Sequence, residues 1–377
     1  MRYQSTVFSQ LLKAVPRGWF ERTARHHHRG RAKRTLSSWG HLVTMIAAQL
    51  SGARSLRDLE RMLERHPGVL SHLGLARVPR STLADANATR PAVLFEAVAA
   101  KLCADFDGGK LGKEALRLID ATRIYAGKRV AAWANGGIKL HLSLDPQQQR
   151  PTWFAVTHGR VNDITPAKMM PIEGGATYVF DKGYYDFSFW AKLHAARCRF
   201  VTRLKKNSPT RVIKERKAMG DGILFDRIVR LSERLSAQRR NPFQAQVRAI
   251  EVKLDTGREV TLLTNDLKAP AAEIADLYKA RWQVELFFKW IKQNLKVAHF
   301  LDVGENGLTI QIMAALIAYL LIRLVSLRHA AALGLQAIAR LMPAMLFARR
   351  PLTEIFNTPD PPPENTGAQG HLELAYA

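Results

Sequence analysis

One short stretch of the sequence combines a tyrosine, an arginine, a glutamate and a lysine at spacings that would place them together on a helix. At about 100° per residue, the last three lie within about 60° of the first, and the four residues are Tyr278, Arg281, Glu285 and Lys292. The apolar stripe beside them comprises Leu277, Val284, Phe287, Phe288, Ile291 and Leu295. The pattern predicts a helix that is anchored in a core and presents a carboxylate, flanked by cations, to a cleft.

An ordinary amphipathic surface helix would explain the same stretch. Arg281 and Glu285 would then form an i,i+4 ion pair worth a few tenths of a kcal/mol. The choice between a catalytic helix and a surface helix therefore depends on residues elsewhere in the chain.

Two aspartates follow apolar runs that predict buried strands. Asp120 comes after 115–119 and Asp181 comes after 176–180. An aspartate in such a position is most often a turn or cap residue. If the two strands are neighbours in one sheet, however, the two carboxylates can meet within a few ångströms, as a divalent cation requires.

Together these segments resemble the signature of the DDE transposases of the insertion-sequence family called "IS four". The matching residues are Asp120-Ala-Thr, Asp181-Lys-Gly-Tyr, Leu263-Thr264-Asn265 and the spacing Tyr-x-x-Arg-x-x-x-Glu-x-x-x-x-x-x-Lys from Tyr278. The resemblance covers most of the chain and implies that the catalytic, metal-binding carboxylates are Asp120, Asp181 and Glu285. It also implies that DNA is contacted by Tyr278, Arg281, Trp282 and Lys292.

The chain departs from the family pattern at two positions. Ala121 stands where the family commonly has Ser, and Asn162 stands where it commonly has His before Asp163. Neither position is a metal ligand in the family, so the three predicted catalytic carboxylates are unaffected.

The resemblance implies two Mg²⁺ ions, which Mn²⁺ can replace, at a site where Asp120 bridges them. Ions about 4 Å apart would activate water to free a 3′ hydroxyl, and then activate that hydroxyl to attack target DNA. The implied partners are double-stranded DNA and a second copy of the chain in a synaptic complex. A nuclease that cuts without strand transfer, and a catalytically idle DNA-binding protein derived from a transposase, remain alternatives.

The overall charge of the chain also indicates a polyanionic partner. Lys and Arg number 57 against 32 Asp and Glu, which gives a net charge of +25. A generally basic protein or a membrane-surface protein would share this charge, but no lipid-facing amphipathic segment supports a membrane role. Only Cys103 and Cys198 are present, which excludes a disulfide framework and a cysteine-based zinc site.

We expect a cytoplasmic, nucleoid-associated protein. The first residues lack the apolar stretch of a signal peptide. The most apolar run, 308–327, is interrupted by Gln311 and Arg323, so it predicts a buried core helix rather than a membrane span.

The predicted fold is α/β, with an RNase H-like catalytic core interrupted by a β-rich insertion and preceded by an all-helical DNA-binding domain. The predicted boundaries are 1–108 for the helical domain, 109–206 and 266–348 for the core, 207–265 for the insertion and 349–377 for a flexible tail. The insertion lacks the Trp with which some relatives trap a flipped base, so the sequence does not decide whether a DNA hairpin forms.

In the helical domain, segments 9–15, 38–50, 55–65 and 91–103 have helical spacing. A basic stretch lies between the first two of these helices and suits phosphate contacts, although a solvated charge run is the alternative. The DNA-contacting residues predicted in this stretch are Arg29, Arg31, Lys33 and Arg34.

Overall fold

The computed structural model describes residues 5–27, 36–75, 77–106, 115–124, 137–205, 208–236, 239–254, 257–294 and 304–356. The predicted DNA contacts Arg29, Arg31, Lys33 and Arg34 lie outside these ranges, as does Leu295.

Helices dominate the described residues from 5 to 106. They are α1 (Val7–Leu12), α2 (Arg17–His27), α3 (Ser38–Ser51), α4 (Leu56–Glu64), α5 (Pro67–His72), α6 (Arg80–Thr89) and α7 (Val93–Ala104). The Ser37 hydroxyl accepts a hydrogen bond from the Gly40 N–H at the start of α3, and Gly52, at φ 71°, ends that helix. The predictions of α1, α3, α4 and α7 are confirmed. The first part of the basic stretch is itself helical, because Arg22 and Arg25 lie in α2.

One large sheet forms the centre of the molecule. Its strands are β1 (Leu116–Ile124), β2 (Ile138–Asp145), β3 (Arg150–His158), β4 (Thr177–Val179), β5 (Arg199–Arg203), β6 (Thr210–Arg216), β7 (Ile223–Leu231), β10 (Val247–Lys253) and β11 (Glu259–Thr264). Two further short strands, β8 (Arg234–Ser236) and β9 (Arg239–Arg240), pair only with each other. The order in the sheet is β3-β2-β1-β4-β5-β11-β10-β7-β6. Strand β1 is antiparallel to β2 and parallel to β4, which is parallel to β5.

The strands of the predicted insertion continue this same sheet. β11 pairs with β5 and β10 pairs with β11, so the insertion is joined edge to edge to the first five strands. The sequence predicts strands of this insertion at 224–231, 244–254 and 259–263, and they are confirmed as β7, β10 and β11. β6 is an additional edge strand.

The connections between strands include α8 (Ile164–Ala167), α9 (Phe187–Ala195) and a short 3₁₀ turn at Lys182–Tyr184. After the sheet come α10 (Ala271–Ala280), α11 (Trp282–Asn294), α12 (Glu305–Arg328), α13 (Leu335–Met345) and α14 (Leu352–Phe356). Among the described residues α12 alone is long and apolar enough to cross a membrane, but 89% of its most apolar window is buried in the protein. The prediction of a buried core helix is therefore confirmed.

The predicted flexible tail is wrong for its first residues. Leu352, Ile355 and Phe356 are buried in α14. The segment before α14 is tied to α1, because the Val7 and Phe8 N–H groups donate to the carbonyls of residues 348 and 346. The remaining predicted tail, 357–377, lies outside the described residues.

Apolar residues cover both faces of the sheet. One face packs against α11, α12 and the N-terminal helices, with Leu118, Val179 and Val201 in that core. The other packs against α8 and α9 and includes Ile119, Tyr178 and Phe200 in a second core. The neighbouring residues of each strand thus point to opposite faces, as strand geometry requires.

Candidate active site

The register of β1 and β4 brings two of the predicted carboxylates to adjacent strands. Leu118 of β1 is paired with Val179 of β4, so Asp120 and Asp181 each follow two residues later along parallel chains. Asp181 comes just after β4, as predicted, and accepts a hydrogen bond from the Gly183 N–H at 2.7 Å. The prediction that Asp120 ends its strand is wrong. β1 continues to Ile124, because residues 121–124 remain paired with β2.

The third predicted carboxylate reaches this place from α11, and an arginine joins it to the first. Arg281 Nη1 donates to Asp120 Oδ2 at 3.3 Å, and Arg281 Nη2 donates to Glu285 Oε1 at 2.6 Å. Asp120 has the same strand parity as Leu118, whose side chain lies in the core that contains α11. The guanidinium of Arg281 therefore lies between carboxylates that come from the sheet and from the helix.

The helix that carries Glu285 is not continuous with the segment that carries Tyr278. α10 ends at Ala280 and α11 begins at Trp282, so the prediction of a single helix is wrong. At the break, the Arg281 N–H donates to the Tyr278 carbonyl at 3.1 Å, a tighter turn than that of an α-helix. The predicted apolar stripe is confirmed within the described residues, where Val284, Phe287, Phe288 and Ile291 are buried.

Burial and neighbouring charges raise the pKa of Asp120 to about 7. Burial is the largest cause, and the carboxylates of Asp181 and Glu285 add to it. The Arg281 guanidinium and the hydrogen bond from the Ala121 N–H oppose the rise. Although burial disfavours the charge of Arg281, Tyr278, Asp120 and Glu285 raise its pKa above the ordinary value. A cation beside Asp120 is thus needed to keep that carboxylate ionised near neutral pH.

A fourth carboxylate, Asp163, lies beside the first two. Its Oδ1 accepts from Lys139 Nζ at 2.8 Å and lies 3.8 Å from His141 Nδ1. Both partners are buried on β2, where His141 Nε2 lies 2.8 Å from the Thr157 hydroxyl. Burial lowers the pKa of His141 to about 4, although Asp163 opposes this change, so the imidazole is neutral at pH 7.

The hydroxyl of Tyr184 is enclosed by this cluster. Tyr184 is 1% exposed, and within the described part of the chain its hydroxyl has no hydrogen-bond partner. Burial raises the pKa of Tyr184 well above the ordinary value, and the charges of Asp120, Asp163 and Asp181 raise it further. Lys139, His141 and Tyr184 were not among the site residues predicted from the sequence. The first two could have been noticed, because they alternate within the otherwise apolar strand Ile138-Lys139-Leu140-His141-Leu142.

Of the other predicted DNA-contacting residues within the described ranges, Tyr278 lies at the cluster and Trp282 and Lys292 are exposed on α11. The Tyr278 ring centroid is 5.8 Å from Arg281 Cζ, so Tyr278 belongs to the cluster. Trp282 is 44% exposed at the start of α11, and Lys292 is exposed near its end.

The donor chemistry fits a divalent cation, although the side chains do not yet converge on one point. In the described ranges, no three His, Cys, Asp or Glu side chains stand in a metal-binding arrangement. The carboxylates nevertheless supply the hard oxygen ligands that Mg²⁺ prefers. The absence of a side chain at Gly183 keeps the region between two of the aspartates clear, because a Cβ added there would lie 2.9 Å from Asp181 Oδ1 and 3.6 Å from Asp163 Oδ2.

Comparison with known proteins identifies the family. A transposase DDE domain model matches residues 111–321, and a domain of unknown function (DUF4372) matches residues 3–76. The putative transposase y4zB of Sinorhizobium fredii is 39% identical over 295 residues, which are 75% of this chain and 81% of the relative.

Two further relatives are shorter matches. The probable transposase for insertion sequence element IS5377 of Geobacillus stearothermophilus is 29% identical over 55% of this chain and 56% of its own length. The putative transposase for insertion sequence element IS4SA of Synechocystis is 26% identical over 54% of this chain and 52% of its own length.

A solved piggyBac transposase synaptic complex with hairpin DNA superposes with a TM-score of 0.46 at 12% identity, over 94% of this chain and 80% of that one.

The resemblance seen in the sequence is therefore confirmed by a domain match over more than half of the chain and by a relative at 39% identity. The chain belongs to the DDE transposases of insertion sequences.

Proposed function

We propose that this transposase binds the terminal inverted repeats of an insertion sequence, cleaves DNA at the ends and joins the resulting 3′ hydroxyl to target DNA. The observation that carries the proposal is the position of Arg281 between Asp120 and Glu285, beside Asp181. One guanidinium thus joins a carboxylate of the sheet to a carboxylate of α11, and Asp181 acts electrostatically on the first of them. A simple i,i+4 pair on a surface helix would not involve the two aspartates.

DDE transposase domains generally use divalent metal ions. In this chain we assign the ligands to Asp120, Asp181 and Glu285 and the ions to two Mg²⁺, which Mn²⁺ can replace. When bound, such ions activate an oxygen nucleophile and neutralise charge on the attacked phosphate.

The protein's own groups prepare the site for these ions. Asp120 must lose its proton to become a ligand, and its pKa of about 7 allows this near neutral pH. Arg281 holds Asp120 and Glu285 together while no other cation is present. With a metal ion on these carboxylates, the guanidinium would be available to bind the scissile phosphate, beside the Tyr278 ring at 5.8 Å.

The remaining assignments concern the DNA path. Lys292 lies seven residues beyond Glu285, or about 10 Å along the helix axis, which suits a phosphate on the same strand. Trp282 is exposed beside Arg281 and is assigned to DNA as well. We assign end recognition to residues 1–108, which include the basic residues Arg29, Arg31, Lys33 and Arg34.

The sheet order supports an RNase H-like core. The first five strands have the order β3-β2-β1-β4-β5, with an antiparallel β1–β3 meander and parallel β4 and β5. On this proposal β6 to β11 are the insertion, and the active complex contains two copies of the chain on double-stranded DNA. A net charge of +25 agrees with a nucleoid-associated protein in the cytoplasm.

The test compares two glutamates that are each paired with an arginine. Glu285→Gln removes the proposed metal ligand, whereas Glu215→Gln removes the partner of Arg227 on the sheet edge. We expect Mg²⁺-dependent end cleavage to fall by about three orders of magnitude or more in Glu285→Gln, a barrier increase of about 4 kcal/mol. Glu215→Gln should cleave within a few-fold of the unmodified protein.

Gel-shift and thermal-melting measurements on the same variants show whether DNA binding and folding survive. Cleavage by Glu285→Gln within a few-fold of the unmodified protein would remove Glu285 from the active site. A second assay supplies pre-cleaved ends with a free 3′ hydroxyl. Joined products are expected, and their absence alongside normal cleavage would favour a nuclease without strand transfer.

A further inference from the structure

We propose that Asp163 is a further metal ligand of the active site, which supplies a carboxylate oxygen to the cation bound at Asp181 and is oriented by Lys139 and His141. This inference rests on the proposed function, because it requires a cation at Asp181. It adds a carboxylate that approaches from the face of the sheet opposite to α11.

The local structure leaves the Asp163 carboxylate available for this role. Asp163 is the N-cap residue of α8, a position where an aspartate usually accepts hydrogen bonds from the first helical N–H groups. Here its side chain makes no capping bond. It turns instead to Lys139 and His141 on β2, and it is 30% exposed.

The two partners of Asp163 have anchors of their own. Lys139 Nζ also donates to the Val161 carbonyl at 2.8 Å, and His141 Nε2 lies 2.8 Å from the Thr157 hydroxyl. Neither side chain would lose all of its partners if Asp163 were absent. The hydrogen bond from Lys139 holds Asp163 Oδ1, with the His141 ring 3.8 Å away, and the other oxygen, Oδ2, lies towards Gly183.

The space between Asp163 and Asp181 exists because residue 183 has no side chain. A Cβ there would lie 2.9 Å from Asp181 Oδ1 and 3.6 Å from Asp163 Oδ2, so it would fill the gap between them. The two oxygens are consequently no farther apart than the sum of these distances. Two oxygens on one Mg²⁺ lie at most about 4.2 Å apart, since each Mg²⁺–oxygen bond is about 2.1 Å long. The proposal therefore requires a side-chain rotation that brings Asp163 Oδ2 and an oxygen of Asp181 within that distance.

The buried hydroxyl of Tyr184 is an independent sign that something polar belongs in this space. It has no hydrogen-bond partner within the described residues, and Asp120, Asp163 and Asp181 all act on it electrostatically. Leaving a buried hydroxyl without a hydrogen-bond partner is unfavourable. A water on a cation held by Asp163 and Asp181 would satisfy it.

The experiment measures Mn²⁺ binding to the full-length protein without DNA, from the free Mn²⁺ signal in electron paramagnetic resonance. Asp163→Asn is compared with Asp221→Asn, which makes the same charge change at an exposed turn between β6 and β7. We expect Asp163→Asn to weaken the binding of one ion by about 10- to 100-fold and Asp221→Asn to leave it unchanged. The gain in melting temperature on adding Mn²⁺ should shrink in the same way.

A purely structural role for Asp163 has a different outcome. Asp163→Asn would then lower the melting temperature without metal but keep the full Mn²⁺ affinity, and the proposal would be overturned. Asp120→Asn separates this failure from failure of the proposed function. If Asp120→Asn also leaves Mn²⁺ binding unchanged, the cation site itself is misassigned. If Asp120→Asn weakens Mn²⁺ binding and Asp163→Asn does not, the proposed function is retained and the proposed role of Asp163 is wrong.

If Asp163→Asn does not fold, the proposal is tested by metal-directed cleavage of the unmodified protein. With Fe²⁺ in place of Mg²⁺ and ascorbate present, hydroxyl radicals cut the chain close to the bound ion, and mass spectrometry locates the cuts. Cuts near residues 120, 163 and 181 support the proposal. Cuts near 120 and 181 without any near 163 overturn it.

Discussion

Arg281 and Asp120 together explain how a group of carboxylates can exist in the folded protein before any metal is bound. Asp120 is 20% exposed in its side chain and has two carboxylates as electrostatic neighbours. Leaving such a group ionised without a cation would be costly. Arg281 supplies the positive charge, and the pKa of about 7 shows that it compensates only in part. A metal ion at this site would therefore replace the proton of Asp120 or its ion pair with Arg281.

This balance predicts a pH-dependent effect of Asp120→Asn on stability. The pKa of Asp120 is about 7 in the folded protein and about 3.8 in the unfolded chain, so the unfolded chain releases the proton more easily. Ionisation consequently destabilises the fold as pH rises from about 4 through 7. Asparagine cannot ionise. In denaturant unfolding with EDTA, Asp120→Asn should gain stability relative to the unmodified protein as pH rises from about 4 to 7, so its advantage should be larger at pH 8 than at pH 5. An advantage that is equal at both pH values, or reversed, would contradict the assigned pKa.

The same proton should appear in metal binding. Because Asp120 must be ionised to act as a ligand, Mn²⁺ competes with a proton below pH 7. The apparent affinity should rise by about tenfold per pH unit up to about pH 7 and then level off. A titration of Mn²⁺ binding between pH 5.5 and 8.5 measures this profile. A profile that is flat in this range would show that Asp120 is not titrating at the metal.

At the scale of elements, the position of Glu285 depends on a helix break that the sequence does not signal. Residues 271–294 contain no Gly or Pro, and their apolar spacing predicts one helix. The structure instead ends α10 and starts α11 on either side of Arg281. Arg281 donates to Asp120 on β1, which is a contact between residues distant in sequence. The local pattern could therefore predict the apolar stripe of the helix but not the helix break at Arg281.

Other strands and helices could be predicted where their buried residues form a regular apolar pattern in the sequence. The sequence predicts a strand at 138–144, where apolar residues alternate, and another at 152–156, after Pro151, and these are β2 and β3. α12 was predictable because its apolar run is long and nearly uncharged. β6 was missed because six of its seven residues are exposed, so it has no buried face. For the site, the family resemblance supplied the roles of Asp120, Asp181 and Glu285. The neighbours Lys139, His141 and Tyr184 depend on sheet register and chain reversal, which the sequence alone did not provide.

The orientation of α11 predicts a measurable DNA contact at Lys292. This lysine is exposed and makes no ion pair among the described residues. Lys292→Ala should weaken binding to all DNA sequences alike and reduce the slope of log affinity against log salt by about one unit. Lys217→Ala, at an exposed position after β6, is the matched control and should leave the slope unchanged. An unchanged slope for Lys292→Ala would place this lysine away from the DNA.

At the scale of the whole molecule, the N-terminal helices and the sheet share a core. α12 packs against α3, α6 and α7 as well as α11 and α13. Buried residues from α1 to α7 belong to the same apolar cluster as Leu118 of β1 and Phe287 of α11. The predicted boundary near residue 108 therefore does not divide the apolar core, because residues on both sides of it pack in one cluster. The described helices of residues 1–108 therefore share their core with the helix that carries Glu285.

This shared core predicts that a fragment of residues 109–377 will not fold. Without α1 to α7, α12 would expose side chains such as Leu316, Leu320 and Leu324, which are at most 4% exposed in the whole chain. Each large apolar side chain that is newly exposed costs about 1.5–3 kcal/mol, so a few exceed the whole stability of a typical domain, about 5–15 kcal/mol. The fragment should be insoluble or show no cooperative melting by circular dichroism. A chain of residues 1–356, which keeps α14, should remain soluble and melt cooperatively. A soluble 109–377 fragment with a cooperative transition would instead establish residues 1–108 as an independent domain.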